Sequence, residues 1–256
     1  MPLRAVLFDL FDTLVDLRVE GLPRIEVEGR SFPASVARLH EIAAARAPEP
    51  LGFEAFARAL VETDRGFEES HFRVHRELPT RERFAAVARR LGLEDPELPG
   101  LLTHQHMALF REHARAPEHH GELLAGLGRE LRLGLCSNFS HAETARFILC
   151  ATGLAPHLAS VAISESVGLR KPHRGIFEAA LRPLGVSPED ALHVGDSLRA
   201  DVAGAAALGI RTVWITRRVS DPERALRDHA GPPPDWRIRD LAELPRVIDE
   251  AASRRA

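Results

Sequence analysis

The chain opens on a continuous apolar run, Ala5-Val6-Leu7-Phe8, that stops at a carboxylate. This is the pattern of a strand buried on both faces within a parallel sheet. Four more short apolar runs, Leu131 to Cys136, Leu158 to Ile163, Ala191 to Val194 and Thr212 to Ile215, give way to polar or glycine residues in the same manner. Helical periodicity lies between them: Glu122 to Glu130 precedes the second run, Ala142 to Thr152 follows it, Gly175 to Leu184 precedes the fourth, and Ala200 to Leu208 leads to the fifth. Strands alternating with helices predict an α/β fold, a doubly wound parallel sheet with helices on both faces.

Residues from about 18 to 114 break this rhythm. After a short hairpin around Ile25 to Val27, the pattern predicts helices at about 34–46, 53–72, 80–91 and 98–113, punctuated by Pro48, Pro50, Pro79, Pro96 and Pro99. The expected division is therefore a Rossmann-like core, residues 1–17 and 115–256, with an inserted all-helical domain, residues 18–114. The tail adds Pro232-Pro233-Pro234, a short run at Trp236 to Ile238 and a final helix from Leu241.

Composition narrows the class. With 256 residues, 45% hydrophobic and 28% charged, the chain fits a soluble globular protein and not a disordered or fibrous one. No apolar run reaches the roughly 18 residues of a spanning helix, and Asp9 and Asp12 interrupt the apolar N-terminal stretch, so neither a signal peptide nor a membrane anchor is expected. Cys136 and Cys150 lack CxxC spacing and read as reduced, packed thiols, which points to a cytoplasmic protein. A net charge of −3 without blocks of like charge argues against nucleic acid as a partner. His104 and His106 do not share a helix face, and His119-His120 falls in a connecting loop, so neither pair is expected to hold a metal. Among 34 basic residues Lys171 is the only lysine, which asks what a compact ammonium does there that a planar guanidinium cannot.

Ligands of open α/β sheets bind beyond the carboxyl ends of the strands. Those ends carry Asp9-Leu10-Phe11-Asp12-Thr13, Ser137-Asn138, Arg170-Lys171-Pro172 and Gly195-Asp196-Ser197, with Asp201 five residues past Asp196. Singly, each has an ordinary explanation: Asp9 as a helix N-cap, Ser137 as a loop hydroxyl, Asp196 as a turn residue. Together they place carboxylates, a hydroxyl and an ammonium on one rim. Converging carboxylates suit a hard divalent cation such as magnesium (Mg2+). A metal beside Asp9 lets that carboxylate attack phosphorus despite the anionic repulsion, while Lys171 neutralises the same oxygens and Ser137 with backbone N–H groups holds the others.

Phe8-Asp9-Leu10-Phe11-Asp12-Thr13-Leu14-Val15, Leu135-Cys136-Ser137-Asn138, Val167-Gly168-Leu169-Arg170-Lys171-Pro172 and Val194-Gly195-Asp196-Ser197 resemble the four motifs of the haloacid dehalogenase superfamily. The similarity covers nearly the whole chain and includes a helical cap after the first strand. The resemblance implies that Asp9 is a nucleophile forming an aspartyl-phosphate or aspartyl-ester, that Ser137 binds the transferred group with Thr13 and Asn138 as further substrate contacts, and that Lys171 orients Asp9. It implies Mg2+ held by Asp9, the Phe11 carbonyl and Asp196, with Ser197 and Asp201 behind them, and a small-molecule substrate, a phosphate ester.

Phe11 departs from that pattern. Phosphatases of the family carry an aspartate two residues after the nucleophile, which protonates the leaving alcohol and later activates water. Phenylalanine does neither, and a missing general acid or base forfeits about 10²- to 10⁴-fold in rate. Asp12 is the nearest substitute, but on an extended strand end its side chain should face away from that of Phe11. A phosphonoacetaldehyde hydrolase, which needs a cap lysine, is disfavoured because residues 18–114 contain none. A Mg2+-dependent phosphatase-like hydrolase with altered proton handling, a metal-independent 2-haloacid dehalogenase, and a weakly active relative that binds a phosphorylated ligand or a protein remain open.

Overall fold

The computed structural model describes residues 3–18, 24–27 and 30–253. The chain divides into two compact units, one formed by the residues up to Leu17 together with those from Ala114 onward, the other by Arg18–His113.

In chain order the elements are β1 (Ala5–Phe8), β2 (Asp16–Leu17), β3 (Arg24–Val27), β4 (Arg30–Pro33), α1 (Ser35–Ala44), α2 (Phe53–Gly66), α3 (Thr80–Arg90), α4 (Leu98–His113), β5 (Ala114–Arg115), α5 (His120–Leu127) and β6 (Arg132–Ser137). They continue with α6 (Ala142–Ala151), β7 (Ser160–Ile163), α7 (Ser164–Val167), α8 (Arg174–Leu181), β8 (Ala191–Gly195), α9 (Gly204–Ala206), β9 (Arg211–Ile215), α10 (Pro222–Arg227), β10 (Trp236–Ile238) and α11 (Leu244–Ser253).

The larger unit is a six-stranded sheet in the order β10-β9-β8-β1-β6-β7, flanked by helices, with every described strand pair parallel. All four residues of β1 are buried, as the unbroken apolar run requires of a strand covered on both sides. Ile176, Phe177, Ala180 and Leu181 of α8 pack on Ala5, Leu7 and Cys136 of the sheet. Trp236 to Ile238, no more than a short run in the sequence, is the edge strand paired with β9.

Two helices expected from periodicity break in instructive ways. Over 53–72 the α-helix stops at Gly66 and continues as a wider π-helical turn, Glu68–Phe72, in which Arg73 N donates to Glu68 O and Arg76 N to His71 O. Glycine inside a helix costs about 1 kcal/mol relative to alanine, so the wide turn begins where the helix is weakest. Over Ala200 to Leu208 a π-helical turn at Leu198–Ala203 precedes α9. There the Ser197 hydroxyl accepts from Ala200 N at 3.1 Å. Cys150 corrects the expectation of two packed thiols: α6 buries Ala145, Ile148 and Leu149, and Cys150, on the opposite face, is exposed while Cys136 is buried.

The smaller unit has its own core, in which Phe56 and Leu60 of α2, Phe84 and Val87 of α3 and Leu98 and Leu102 of α4 meet Leu39 and Ala43 of α1. Arg83 donates to both carboxylate oxygens of Asp64, at 2.6 and 2.8 Å, and ties α3 to α2. Strands β3 and β4 form the expected antiparallel hairpin. Arg73 pairs with Glu69 at 2.8 Å and is exposed.

The His106 ring lies edge-on between Phe84 and Phe110, with centroids 5.7 and 5.5 Å away. Burial, reinforced by the nearby Arg83 charge, pushes its imidazole down to about 4. The unfolded chain, with an ordinary histidine near 6.5, takes up the proton first. Stability from this group is thus fully present above about pH 6.5 and is lost as pH falls toward 4, by at most about 3 kcal/mol and by less because the ring is partly exposed. The urea midpoint should fall between pH 7 and pH 4.5, and His106→Phe should flatten that fall; an unchanged pH slope in the variant would show that other groups carry it.

Candidate active site

β1 runs between β6 and β8, with Phe8 opposite both Leu135 and Val194. Asp9, Ser137 and Asp196 therefore leave the sheet together at its carboxyl edge, where the strand order reverses and open α/β sheets bind ligands. The Asp9 N–H donates to Val194 O at 2.9 Å and extends that register one residue past the strand.

Lys171 is 4% exposed. Its Nζ donates to Asp9 Oδ1 at 2.7 Å and to Asp201 Oδ1 at 2.5 Å. Asp201 Oδ1 also accepts from His193 Nε2 at 2.8 Å, and Asp201 Oδ2 accepts from Ser197 N at 3.0 Å. Burial by itself raises the Asp201 carboxyl, but the charge of Lys171 and the His193 hydrogen bond outweigh it and hold the group below the usual carboxylate range. Burial likewise opposes the Lys171 charge, and Asp201 and Asp9 overcome it, so the ammonium is held protonated. Gly195 makes this approach possible: a Cβ there would lie 2.2 Å from Asp201 Cγ.

Carboxylate oxygens of Asp9, Asp196 and Asp201 lie within 4.8 Å of one another, and a single ammonium faces them. Asp196 is pushed up to about 8 by burial and then by the Asp9 and Asp201 charges, and Asp9 is raised by burial, against the pull of Lys171. Negative charge exceeds what the protein neutralises. A hard divalent cation with oxygen ligands fits that excess. Both oxygens of Asp201 are engaged by protein donors, so Asp9 and Asp196 are the carboxylates able to hold it.

Other candidates stand elsewhere. Both ends of the Asn138 carboxamide grip the Lys171 main chain, Oδ1 accepting from Lys171 N at 2.6 Å and Nδ2 donating to Lys171 O at 3.0 Å. The carboxamide thereby ties the loop after β6 to the lysine loop. Thr13 is wholly buried and its Oγ1 has no hydrogen-bond partner. Ser137, the last residue of β6, is 1% exposed at the same strand edge. The Phe11 ring packs against Phe139, centroids 4.9 Å apart and tilted by 55°.

Asp12 is not on an extended strand end. Its φ is 57°, a left-handed conformation that aspartate tolerates better than most residues. Its Oδ1 lies 3.6 Å from Arg218 Nε and accepts from Leu17 N at 3.5 Å, so this carboxylate braces the turn.

His193 and Ser164 escaped the sequence reading. His193 was visible as a polar residue inside an apolar strand run, the one signal available. Ser164 Oγ accepts from Phe139 N at 2.8 Å and donates to Phe139 O at 3.2 Å, pinning the loop after β6; nothing in its local sequence marks it. A second group of ligand-capable side chains among the described residues is His119, His120 and Asp240. Arg217 already brings a cation there, with Nη1 donating to His120 Nε2 at 3.2 Å and lying 3.6 Å from Asp240 Oδ2, and Nη2 donating to Asp16 Oδ1 at 2.7 Å. His120 Nδ1 then donates to Leu14 O at 2.9 Å. This is an ion-pair brace for the turn after Asp9, and not an open cation site.

Comparison with known proteins follows the same lines. The chain is 39% identical over 142 residues to a phosphoserine phosphatase of Thermus thermophilus, a match covering 54% of this chain and 53% of that protein; the chain thus spans about half the length of this relative. A 2-haloacid dehalogenase structure from Pseudomonas syringae superimposes with a TM-score of 0.70 at 23% identity, covering 98% of this chain and 100% of that one. The magnesium-bound structure of the putative HAD-hydrolase YfnB of Bacillus subtilis gives 0.59 at 23% identity, covering 97% and 100%. At such identities the structural likeness speaks for the fold. Among the described residues no helix is long and apolar enough to cross a membrane. A profile of haloacid dehalogenase-like hydrolases matches residues 3–209, and with a match over most of its length this chain belongs to that hydrolase family.

Proposed function

We propose that the chain is a Mg2+-dependent phosphatase-like hydrolase of a small phosphorylated metabolite, with Arg18–His113 as its cap. The observation that carries this reading is the charge imbalance at the sheet edge, where carboxylates of Asp9, Asp196 and Asp201 converge on the one Lys171 ammonium. The similarity to a named phosphatase over half the chain supports it.

Asp9 is the nucleophile, and its attack on phosphorus would leave an aspartyl-phosphate on its own side chain. Lys171, hydrogen-bonded to Asp9 Oδ1, fixes the carboxylate and offsets charge on the oxygens of the transferred group. Ser137 holds one of those oxygens. Asp9, Asp196 and the Phe11 carbonyl would hold the metal, with Ser197 and Asp201 behind them. Bound there, Mg2+ supplies charge neutralisation and Lewis-acid polarisation of the phosphoryl group. Phe11 contributes no proton, so the leaving group departs unassisted unless water protonates it.

That last point also favours the second reading, a 2-haloacid dehalogenase, since halide leaves without a proton. A screen of phosphate esters and haloacids with and without Mg2+ separates the two. Phosphate release that requires the metal supports the phosphatase; halide release indifferent to metal overturns it.

Asp196→Asn should weaken Mg2+ binding at least tenfold by calorimetry, because one of two ligand charges is removed. Equal affinity in both proteins would overturn the assignment. Lys171→Arg should lose turnover almost as completely as Lys171→Ala, since a planar fork does not occupy the site of a point charge buried between two carboxylates. Near-normal turnover of the arginine variant would show that charge alone suffices.

Without a proton donor at position 11, single-turnover rates should depend steeply on leaving-group pKa, with aryl and acyl phosphates cleaved far faster than alkyl phosphates. Phe11→Asp should flatten that dependence and raise alkyl phosphate hydrolysis. The gain should stay below about 10²-fold, because the pocket is packed for a ring against Phe139 and does not orient a carboxyl. Similar rates for alkyl and aryl substrates in the unmodified protein would mean that another group supplies the proton.

A further inference from the structure

Among the described residues His193 is the one histidine inside the core sheet. It sits at the centre of β8, in register with Leu7 of β1 and Thr212 of β9, and is 1% exposed. Its neighbours along the strand, Leu192 and Val194, are fully buried apolar residues. An apolar side chain would fill this position without the cost of burying a polar ring that leaves a hydrogen-bonding atom unmet. One atom is indeed unmet: His193 Nδ1 has no hydrogen-bond partner. The other nitrogen faces Asp201 Oδ1 at 2.8 Å. Because a buried, ionised carboxylate only accepts, Nε2 carries the hydrogen. The Phe177 ring meets the imidazole edge-on at 5.2 Å and fixes its plane.

Asp201 Oδ1 thus receives two donors, the imidazole from within the sheet and the ammonium from the lysine loop. Ser197 N holds the other oxygen. A carboxylate held at both oxygens has one orientation, and that orientation fixes the ammonium that also meets Asp9. Without His193, Asp201 keeps its charge but loses the donor that aims Oδ1 at Lys171.

We propose that His193 is a positioning residue for the reaction: an Nε2–H donor that orients Asp201 and, through it, holds the Lys171 ammonium against the Asp9 nucleophile. The inference rests on the functional reading above for its effect on turnover, but not for its effect on Lys171, which is measurable without substrate.

The test uses His193→Leu, which keeps bulk and removes the donor, and His193→Gln, whose Nε2 reaches about as far as that of the imidazole. With the phosphate ester that the metal-dependent screen finds best, His193→Leu should lower kcat roughly 10- to 100-fold, as loss of an outer hydrogen-bond partner does in metal-carboxylate sites, while KM changes less than about threefold. His193→Gln should restore kcat to within about threefold. Since Lys171 is the only lysine, selective ¹⁵N-lysine labelling gives one side-chain ammonium signal. It should be observable in the unmodified protein and in His193→Gln, and shifted or broadened in His193→Leu. An unchanged Lys171 signal and normal kcat in His193→Leu overturn the proposal, as does equal damage in both variants, which would mark a packing effect. If no phosphate ester is hydrolysed, the functional reading fails while the lysine signal still decides this one. Should His193→Leu not fold, the imidazole nitrogens of the unmodified protein, assigned by their absence from His193→Gln, decide: an Nδ1–H tautomer leaves no donor for Asp201 and overturns the proposal.

Discussion

A single ammonium shared between two buried carboxylates organises the sheet edge. Lys171 Nζ meets Asp9 and Asp201 at once, and removing one partner of such a buried pair typically costs about 3–5 kcal/mol because the other is left uncompensated. Each neighbouring feature serves that contact. Asn138 grips the lysine main chain from both sides, Ser197 N takes the second oxygen of Asp201, and Gly195 vacates the space that the Asp201 side chain enters. Burial, and after it the Asp9 and Asp201 charges that the one ammonium does not fully offset, push the neighbouring Asp196 carboxyl up.

The same constraint explains why the fold begins as it does. β1 is only four residues long, yet it lies between β6 and β8, so its exit gathers groups from strands far apart in the chain. The turn that follows is braced twice over. Asp12 meets Arg218 and the Leu17 N–H, and Arg217 joins Asp16 to His120. Asp9, the proposed nucleophile, thus sits on a braced exit, which is what positioning a reacting atom demands.

Much of this was legible in the sequence because burial and chemistry write strong local signals. An apolar run ending at a carboxylate marked β1, and alternation with helical periods marked the parallel sheet. The four polar strand ends were readable as a group because strands of a parallel sheet share one carboxyl edge. What escaped depends on contacts between distant residues. The hold of the Asn138 carboxamide on the Lys171 main chain and the burial of the Thr13 hydroxyl leave no local signal, and Asp12 sits in a left-handed turn where its place after an apolar run suggests an extended strand end. Past Gly66 and from Ala200 the sequence keeps a helical period while the backbone widens into π turns, a choice of hydrogen-bond spacing that side-chain pattern does not record.

The burial of Lys171 also determines how the protein meets reactive chemicals. With its only lysine 4% exposed and held protonated, the molecule presents no side-chain amine to acylating or carbonyl reagents. Its accessible cationic side chains are guanidinium groups, which keep their charge through any pH a protein survives. Cys136 is buried and its thiol is raised by desolvation, so Cys150 is the sulfhydryl that solvent reaches. A probe or tether can therefore be attached at α6 alone, on the surface, without touching the charged assembly at the sheet edge.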